Sequence, residues 1–370
     1  MKSENIRYLP AVDHLRAFAA ILVIYFHSVT YWGNVAIAGT DQKRLMANNV
    51  FEALVIEGHT GVALFMVLSG FIFTFGCYGT NIQYGQFIKN RFLRTYPLYI
   101  FLLFFGMSAY PFAFKLESFV KAILPMANFN PGPLAGEFGS LFWAVAVEWQ
   151  FYLVFPFILA MVNKNGWTSL LLLMVVFILF RNIAYTMTPS VNMVILSYNS
   201  IAGRMDQFLV GMIIAIIYRH HFKQNWRWDC LFLIFAPLIL FVLYQFNVLY
   251  GWALDHYSKV WWPTIEAILW GGFILGYLSV SRFVPRILDK LLVAVGTITY
   301  SMYLCHFMVV MMIMRLGLFP TVEGYSWMLN GVVGTTLIVM PVVLAVSTLT
   351  YWAIERPFLS YRGHYKMPEA

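Results

Sequence analysis

The sequence predicts an all-α polytopic membrane protein: one helical bundle, about ten transmembrane helices, both termini cytoplasmic. Three observations carry this. Hydrophobic residues make up 61% of the 370-residue chain and charged residues only 11%, against roughly 25% charged in soluble domains. Apolar runs of about 20 residues, the length that crosses a hydrocarbon core of roughly 30 Å, recur along the whole chain. The basic residues between those runs divide unevenly between alternate loops.

The runs place helices near 11–33, 53–77, 92–113, 138–161, 167–187, 200–218, 229–250, 261–281, 291–314 and 326–354. The first, AVDHLRAFAAILVIYFHSVTYW, is long enough to span and lacks a small-residue cleavage site, so it is expected to be retained. The fourth and fifth are separated only by the turn MVNKNGW, and the sixth carries Arg204 and Asp206 near its start. The longest loops are 34–52 and 114–137. The second contains NFNPGPLAGEFG, too rich in Gly and Pro for regular helix. Each either caps an acceptor-binding mouth or is a plain connector. An even number of spans puts both termini on one side. Fifteen of the 24 Lys and Arg then fall on the terminal side and eight on the other, with Arg16 inside the first helix, which makes the terminal side cytoplasmic.

No internal repeat, low-complexity tract or separate soluble domain appears, so residues 1–370 read as a single transmembrane domain. The net charge of +8 is scattered through loops, which excludes a nucleic-acid partner. Cys77, Cys230 and Cys305 lie in or beside apolar runs without metal or redox spacing, so neither a disulfide nor a metal site is expected. Gly-rich nucleotide loops and nucleophile elbows are also missing.

The chemistry-bearing residues stand out because apolar helices should not contain them. Arg16 and His27 are eleven residues apart, about 16 Å and close to three turns, so they share a helical face with Asp13. Ionisable groups at such depth mark a functional site by default. Further along come GVALFMVLSGF with Ser69, FIKNRFLRTYPLY with Arg91 and Arg94, and SLFWAVAVEWQFYLVFP with Glu148. TYSMYLCHF, with Tyr303 and His306, and a terminal ERPF follow. In this order the motifs resemble the acyltransferase 3 family of multi-pass membrane acyltransferases, from about residue 7 to residue 362.

The resemblance implies transfer of an acyl group, usually acetyl, from cytoplasmic acyl-CoA to a hydroxyl of a sugar, cell-surface glycan or lipid-linked sugar. It also implies that activity depends on Arg16 and His27. His14 replaces a glycine common in the family, on a face away from those two. No extracytoplasmic hydrolase-like domain follows the last helix, so the chain is expected to act alone or with a separate partner. Acyl-CoA, acetyl-CoA above all, is a substrate, and no permanently bound cofactor is expected. The partners are then acyl-CoA, the glycan acceptor and membrane lipids, with homo-oligomerisation left open, in the plasma membrane of a bacterium.

Helix geometry puts His27 in the outer half of the first span and Glu148 roughly 15 Å below the outer end of the fourth, so the two can meet. His27 is then the general base for the acceptor hydroxyl, with Glu148 fixing its tautomer. A covalent acyl-histidine is the second mechanism. Arg91 and Arg94, nearly on one face, either grip the donor's phosphates, helped by Arg16 and with Ser69 beside them, or simply anchor the helix end. Ser69 and Gly70 also suit close helix packing. Asp13, Tyr303 and His306 are supporting or acceptor-site candidates. Arg204 with Asp206 reads as a local pair, Glu57 and His59 as interfacial, and Glu355 with Arg356 as closing the cytoplasmic face. The rival function is a proton-coupled transporter or flippase using the same Arg, His and Glu, although the repeats typical of transporters are not seen.

Overall fold

The computed structural model describes residues 5–38, 44–129, 135–188, 192–222, 224–252 and 254–367. Among them nine helices are long and apolar enough to cross a bilayer: Pro10–Ile37, Thr60–Cys77, Tyr84–Ala109, Gly136–Asn165, Thr168–Met187, Ile201–His221, Trp226–Leu249, Trp262–Phe283 and Trp327–Leu359. Arg286–Thr297 and Thr299–Arg315, bent by 70° at their junction, pass the same test together and make a tenth crossing when the bent pair is counted as one span. Numbered in chain order, the bent pair is the ninth span and Trp327–Leu359 the tenth. The protein is an integral membrane protein.

The chain ends meet on one face. Asn81–Ile82, between the second and third spans, pairs antiparallel with Lys366–Met367. The Asn5 amide donates to the Gly363 carbonyl and accepts from the Tyr365 amide. An even number of crossings, such as the ten obtained with the bent pair as one span, requires this arrangement. Local signals set the boundaries: Gly166 takes a φ of +82° between the fourth and fifth spans, a conformation that favours glycine. Ser200 caps the sixth span through Gly203, and Asn225 caps the seventh through Arg227.

The second and sixth spans form the centre of the bundle, with 78% and 72% of their apolar windows buried, against 17% and 22% for the fifth and seventh. Leu172, Phe180, Leu233 and Phe241 on the latter two are exposed, the pattern of a lipid-facing surface. The central pair touches backbone to backbone. A Cβ on Gly70 would lie 2.1 Å from the Phe208 carbonyl oxygen, and one on Gly211 2.1 Å from that of Val67. Small residues at such crossings let helices approach.

Several boundaries differ from the expected runs, and each difference moves a polar residue. The run at 53–77 is broken between Val50–Ile56 and Thr60–Cys77. The intervening Glu57 and His59 are buried rather than interfacial: Glu57 Oε2 lies 2.8 Å from His59 Nε2, and its Oε1 accepts from Asn247. The third span begins at Tyr84, so Arg91 and Arg94 sit two turns inside it rather than at its end. The tenth span runs on to Leu359 through two π-helical turns, 335–339 and 351–355. The second turn puts Glu355 in the interior instead of at the cytoplasmic surface. Arg204 and Asp206 do not pair with each other. Two residues apart they face different neighbours: Asp206 binds Arg181 at 2.7 Å, and Arg204 approaches Glu266 at 3.5 Å. Of the loop NFNPGPLAGEFG, residues 130–134 lie outside the described residues.

Candidate active site

Three cavities succeed one another from the face carrying the termini to the opposite one. The first, about 270 Å³, is lined by Arg7, Arg16, Arg91, Arg94 and Arg362, with Asp13 as its single acid among the described residues. Arg16 leans on Asp13, Nη1 to Oδ1 at 3.4 Å, while the Tyr8 hydroxyl donates to the same carboxylate. Arg94 pairs with buried Glu355 at 3.1 Å, and Ser301 also donates to Glu355. Arg91 has no ion pair among the described residues. Its guanidinium lies over Phe73 at 4.8 Å, with Phe87 and Tyr152 beside it. Burial, then the neighbouring charges of Arg91 and Arg94, push Arg362 down to about 10. Crowded like charges of this kind are relieved by an anion.

Arg16, Ile72, Phe73, Arg91 and Arg94 also belong to the wall of the second cavity, about 120 Å³, so the two adjoin. This narrow chamber reaches Ser69, Glu148, Tyr152, Tyr300 and Tyr303. Ser69 Oγ donates to Glu148 Oε1 at 2.9 Å. Gly70, the next residue, faces the sixth span, which turns Ser69 toward the chamber. The Tyr303 hydroxyl is buried and has no hydrogen-bond partner among the described residues.

His27 lies beyond the chamber wall, and its partner is a second histidine. Its Nδ1 is 3.0 Å from the Val23 carbonyl oxygen and 3.1 Å from His306 Nε2, while His306 Nδ1 is 3.1 Å from the Met302 carbonyl oxygen. These partners assign the tautomers. A carbonyl only accepts, so His306 carries its proton on Nδ1 and offers Nε2 as an acceptor. His27 then donates from Nδ1 to both acceptors, and its Nε2 keeps a free lone pair. Phe26 and Phe307 flank the ring at 4.8 and 5.4 Å between centroids.

The structure thus joins Arg16, Arg91, Arg94, Ser69, Glu148 and Tyr303 around adjoining cavities, and joins His27 to His306. It does not pair Glu148 with His27: the carboxylate is engaged by Ser69, and His306 occupies the position expected of the acid. His14, on the opposite face, is held by Tyr277 and Asp289. Arg362 and Arg7 went unrecognised in the sequence as site residues. Arg362 lies just past ERPF, and only the folding back of the C-terminal segment brings it to the mouth.

The third cavity, about 780 Å³, opens on the far side, and its lining includes Tyr110, Asn128, Glu137, Trp143, Asn199 and Phe307. Among the described residues no group of three or more His, Cys, Asp and Glu is arranged to hold a metal ion.

A family model described as an acyltransferase domain matches residues 9–352. The chain is 27% identical over 179 residues to the putative peptidoglycan O-acetyltransferase YrhL of Bacillus subtilis, covering 43% of this chain and 25% of that protein. It is 29% identical over 180 residues to the O-acetyltransferase OatA of Staphylococcus aureus, covering 43% and 26%. It is 32% identical over 179 residues to an uncharacterized protein of Haemophilus influenzae, covering 41% and 73%. The matched stretch spans about a quarter of the length of the first two relatives. No solved structure matches.

Proposed function

The chain belongs to the acyltransferase 3 family, and from that premise we propose that it is an integral membrane O-acyltransferase of a bacterial membrane. In this reading it moves an acetyl group from cytoplasmic acyl-CoA to a hydroxyl of a glycan or lipid-linked sugar. The observation that carries the proposal is the imidazole pair, with the Nε2 lone pair of His27 left free while its Nδ1–H is held. The arginine-lined mouth suits the donor's phosphates, since guanidinium groups bind phosphate oxygens bidentately. Arg91, having no acid partner, and Arg362 are the first to engage them, with Arg16 deeper and Arg94 held by Glu355. The acetyl group in this reading is supported by the names of both relatives, and the glycan acceptor by that of YrhL.

In the proposed reaction His27 Nε2 takes the proton of the acceptor hydroxyl as its oxygen attacks the thioester carbonyl. The C–S bond then breaks, and the imidazolium returns the proton to the departing thiolate, giving ester and free CoA. The bond to His306 Nε2 stabilises the imidazolium. Tyr303, with an unpartnered hydroxyl in the chamber wall, is the donor available to the thioester oxygen as it gains charge. Glu148 and Ser69 position the acyl arm rather than the base. If the same lone pair attacks the thioester first, an acyl-histidine forms. Labelled acyl-CoA without acceptor, followed by hydroxylamine release, distinguishes the two routes.

The test is acceptor-dependent thiol release by the purified protein in lipid. Release is expected from the unaltered chain and a loss of about 10²-fold or more from His27→Ala, the contribution of a positioned base. Full activity of His27→Ala would overturn the proposal.

A further inference from the structure

The outer cavity is unused by this chemistry, yet it shares its inner wall with the reacting layer. On the fourth span Phe142 and Trp143 line the outer cavity, while Ala144 and Val145 line the inner chamber. On the ninth span Tyr303 lines the chamber and Phe307 and Met311 the outer cavity, with His306 between them. The Phe307 ring lies 5.4 Å from that of His27. At about 780 Å³ the outer cavity falls within the roughly 300–1,000 Å³ of small-molecule sites, whereas the 120 Å³ chamber admits only a slender arm.

The two ends of this route differ in charge. Five arginines face the cytoplasmic mouth. Among the described residues the outer cavity has one charged lining residue, Glu137, which is paired with Arg315 and bonded by Tyr110. Asn128 is engaged by Gln150. Without a hydrogen-bond partner among the described residues are the Trp143 indole N–H and the Asn199 side-chain amide, while the Arg204 guanidinium lies over the Trp143 ring at 5.8 Å. An indole N–H and an amide that both donates and accepts suit a ring bearing hydroxyls, and neither side chain carries a charge that would hold a phosphate.

We infer that the outer cavity is the acceptor site and takes a neutral saccharide, its ring against Trp143 and its hydroxyls bonded to the Asn199 amide. The inference rests on the acyl-transfer reading and gives the acceptor's place and charge class within it.

The experiment is saturation-transfer NMR on the full chain in lipid nanodiscs, with the neutral trisaccharides chitotriose and maltotriose and with N-acetylglucosamine 1-phosphate as probes. Both a neutral-sugar affinity and coenzyme A binding are followed in each variant. The unaltered chain is expected to bind at least one neutral trisaccharide more tightly than the phosphate. Asn199→Ala and Trp143→Phe, each losing one hydrogen bond worth about 1 kcal/mol, should weaken it about fivefold with coenzyme A binding unchanged. Trp143→Ala should abolish it; because that variant can fail to fold, Trp143→Phe decides in its place when coenzyme A binding is also lost.

Unchanged sugar affinity in both Asn199→Ala and Trp143→Phe would overturn the inference. So would preference for the phosphate, absence of binding by both trisaccharides, or loss of sugar binding in Arg91→Gln. Full transfer activity of His27→Ala alongside a Trp143-dependent sugar site would instead refute the acyl-transfer chemistry alone.

Discussion

Replacing His306 by alanine tests the imidazole pair, and the structure sets the size of the effect. The Nδ1–H of His27 has two acceptors, the Val23 carbonyl at 3.0 Å and His306 Nε2 at 3.1 Å. Removing the second leaves the first, so the productive tautomer persists. The loss of about 10⁴-fold that follows when a catalytic histidine is forced into the wrong tautomer is therefore not expected. What disappears is a bond to the imidazolium. Hydrogen bonds to charged groups contribute about 1.5–3 kcal/mol, which converts to a fall in kcat of about 10- to 160-fold. The KM for acyl-CoA should not move, because neither histidine lines the basic mouth. His306→Gln restores an acceptor oxygen and should recover most of the loss, which a merely structural role would not do. Thiol release by the purified variants, with acyl-CoA varied, gives both constants. A His306→Ala kcat within about twofold of the unaltered chain, or a loss confined to KM, would refute the pairing as a catalytic device; a loss beyond about 10⁴ would show that Val23 does not hold the tautomer.

The two arginines of the third span should separate. Arg94→Ala strands the buried Glu355 and should cost about 3–5 kcal/mol, seen as a lower Tm. Arg91→Gln breaks no ion pair and should weaken coenzyme A binding about tenfold or more by calorimetry, with a smaller change in Tm. Arg362, held at about 10 by burial and by Arg91 and Arg94, is charged at pH 8. Near pH 10 about half of it is neutral, and an arriving phosphate should raise its affinity for protons. Coenzyme A binding near pH 10 is thus expected to take up protons, detected by calorimetry in buffers of different ionisation enthalpy. The uptake should vanish at pH 8 and in Arg362→Gln. Gly70→Ala pushes a methyl to 2.1 Å from the Phe208 carbonyl oxygen and should destabilise by about 1–3 kcal/mol, measured as Tm.

The sequence makes the individual ionisable residues conspicuous, because any Arg, His or Glu inside an apolar helix lacks a solvent explanation. Arg16, His27, Arg91, Arg94 and Glu148 were legible for that reason. Their partners were not. Which residue faces which depends on how ten helices rotate about their axes. A turn of one residue, about 100°, decides whether Glu148 meets His27 or Ser69. Arg94 reaches Glu355 only because the tenth span inserts a π-helical turn at 351–355, and no residue type announces that turn. The bend at Ile298 interrupts a run that reads as one helix. The outer cavity was least visible, since it is assembled from loops and helix ends far apart in the chain, whose polar residues look ordinary in sequence.

Tyr303 offers a test in which stability and activity move in opposite directions. Its hydroxyl is buried with no partner among the described residues, and leaving a buried polar group unmatched costs about 1–3 kcal/mol. Nothing in the packing demands that hydroxyl, because the ring already contacts Phe65 and His306, with centroids at 6.3 and 5.9 Å. A group retained against its own solvation is explained if it acquires a partner during the reaction, as the thioester oxygen would provide. Tyr303→Phe keeps the ring and removes only the oxygen. The resting protein should therefore hold or raise its Tm, while kcat falls by about 10²-fold, the size seen when one donor to a developing oxyanion is lost. Coenzyme A affinity should stay the same. A kcat unchanged by the substitution would remove Tyr303 from the chemistry, and a Tm that drops with kcat would mean that the hydroxyl already has a structural partner.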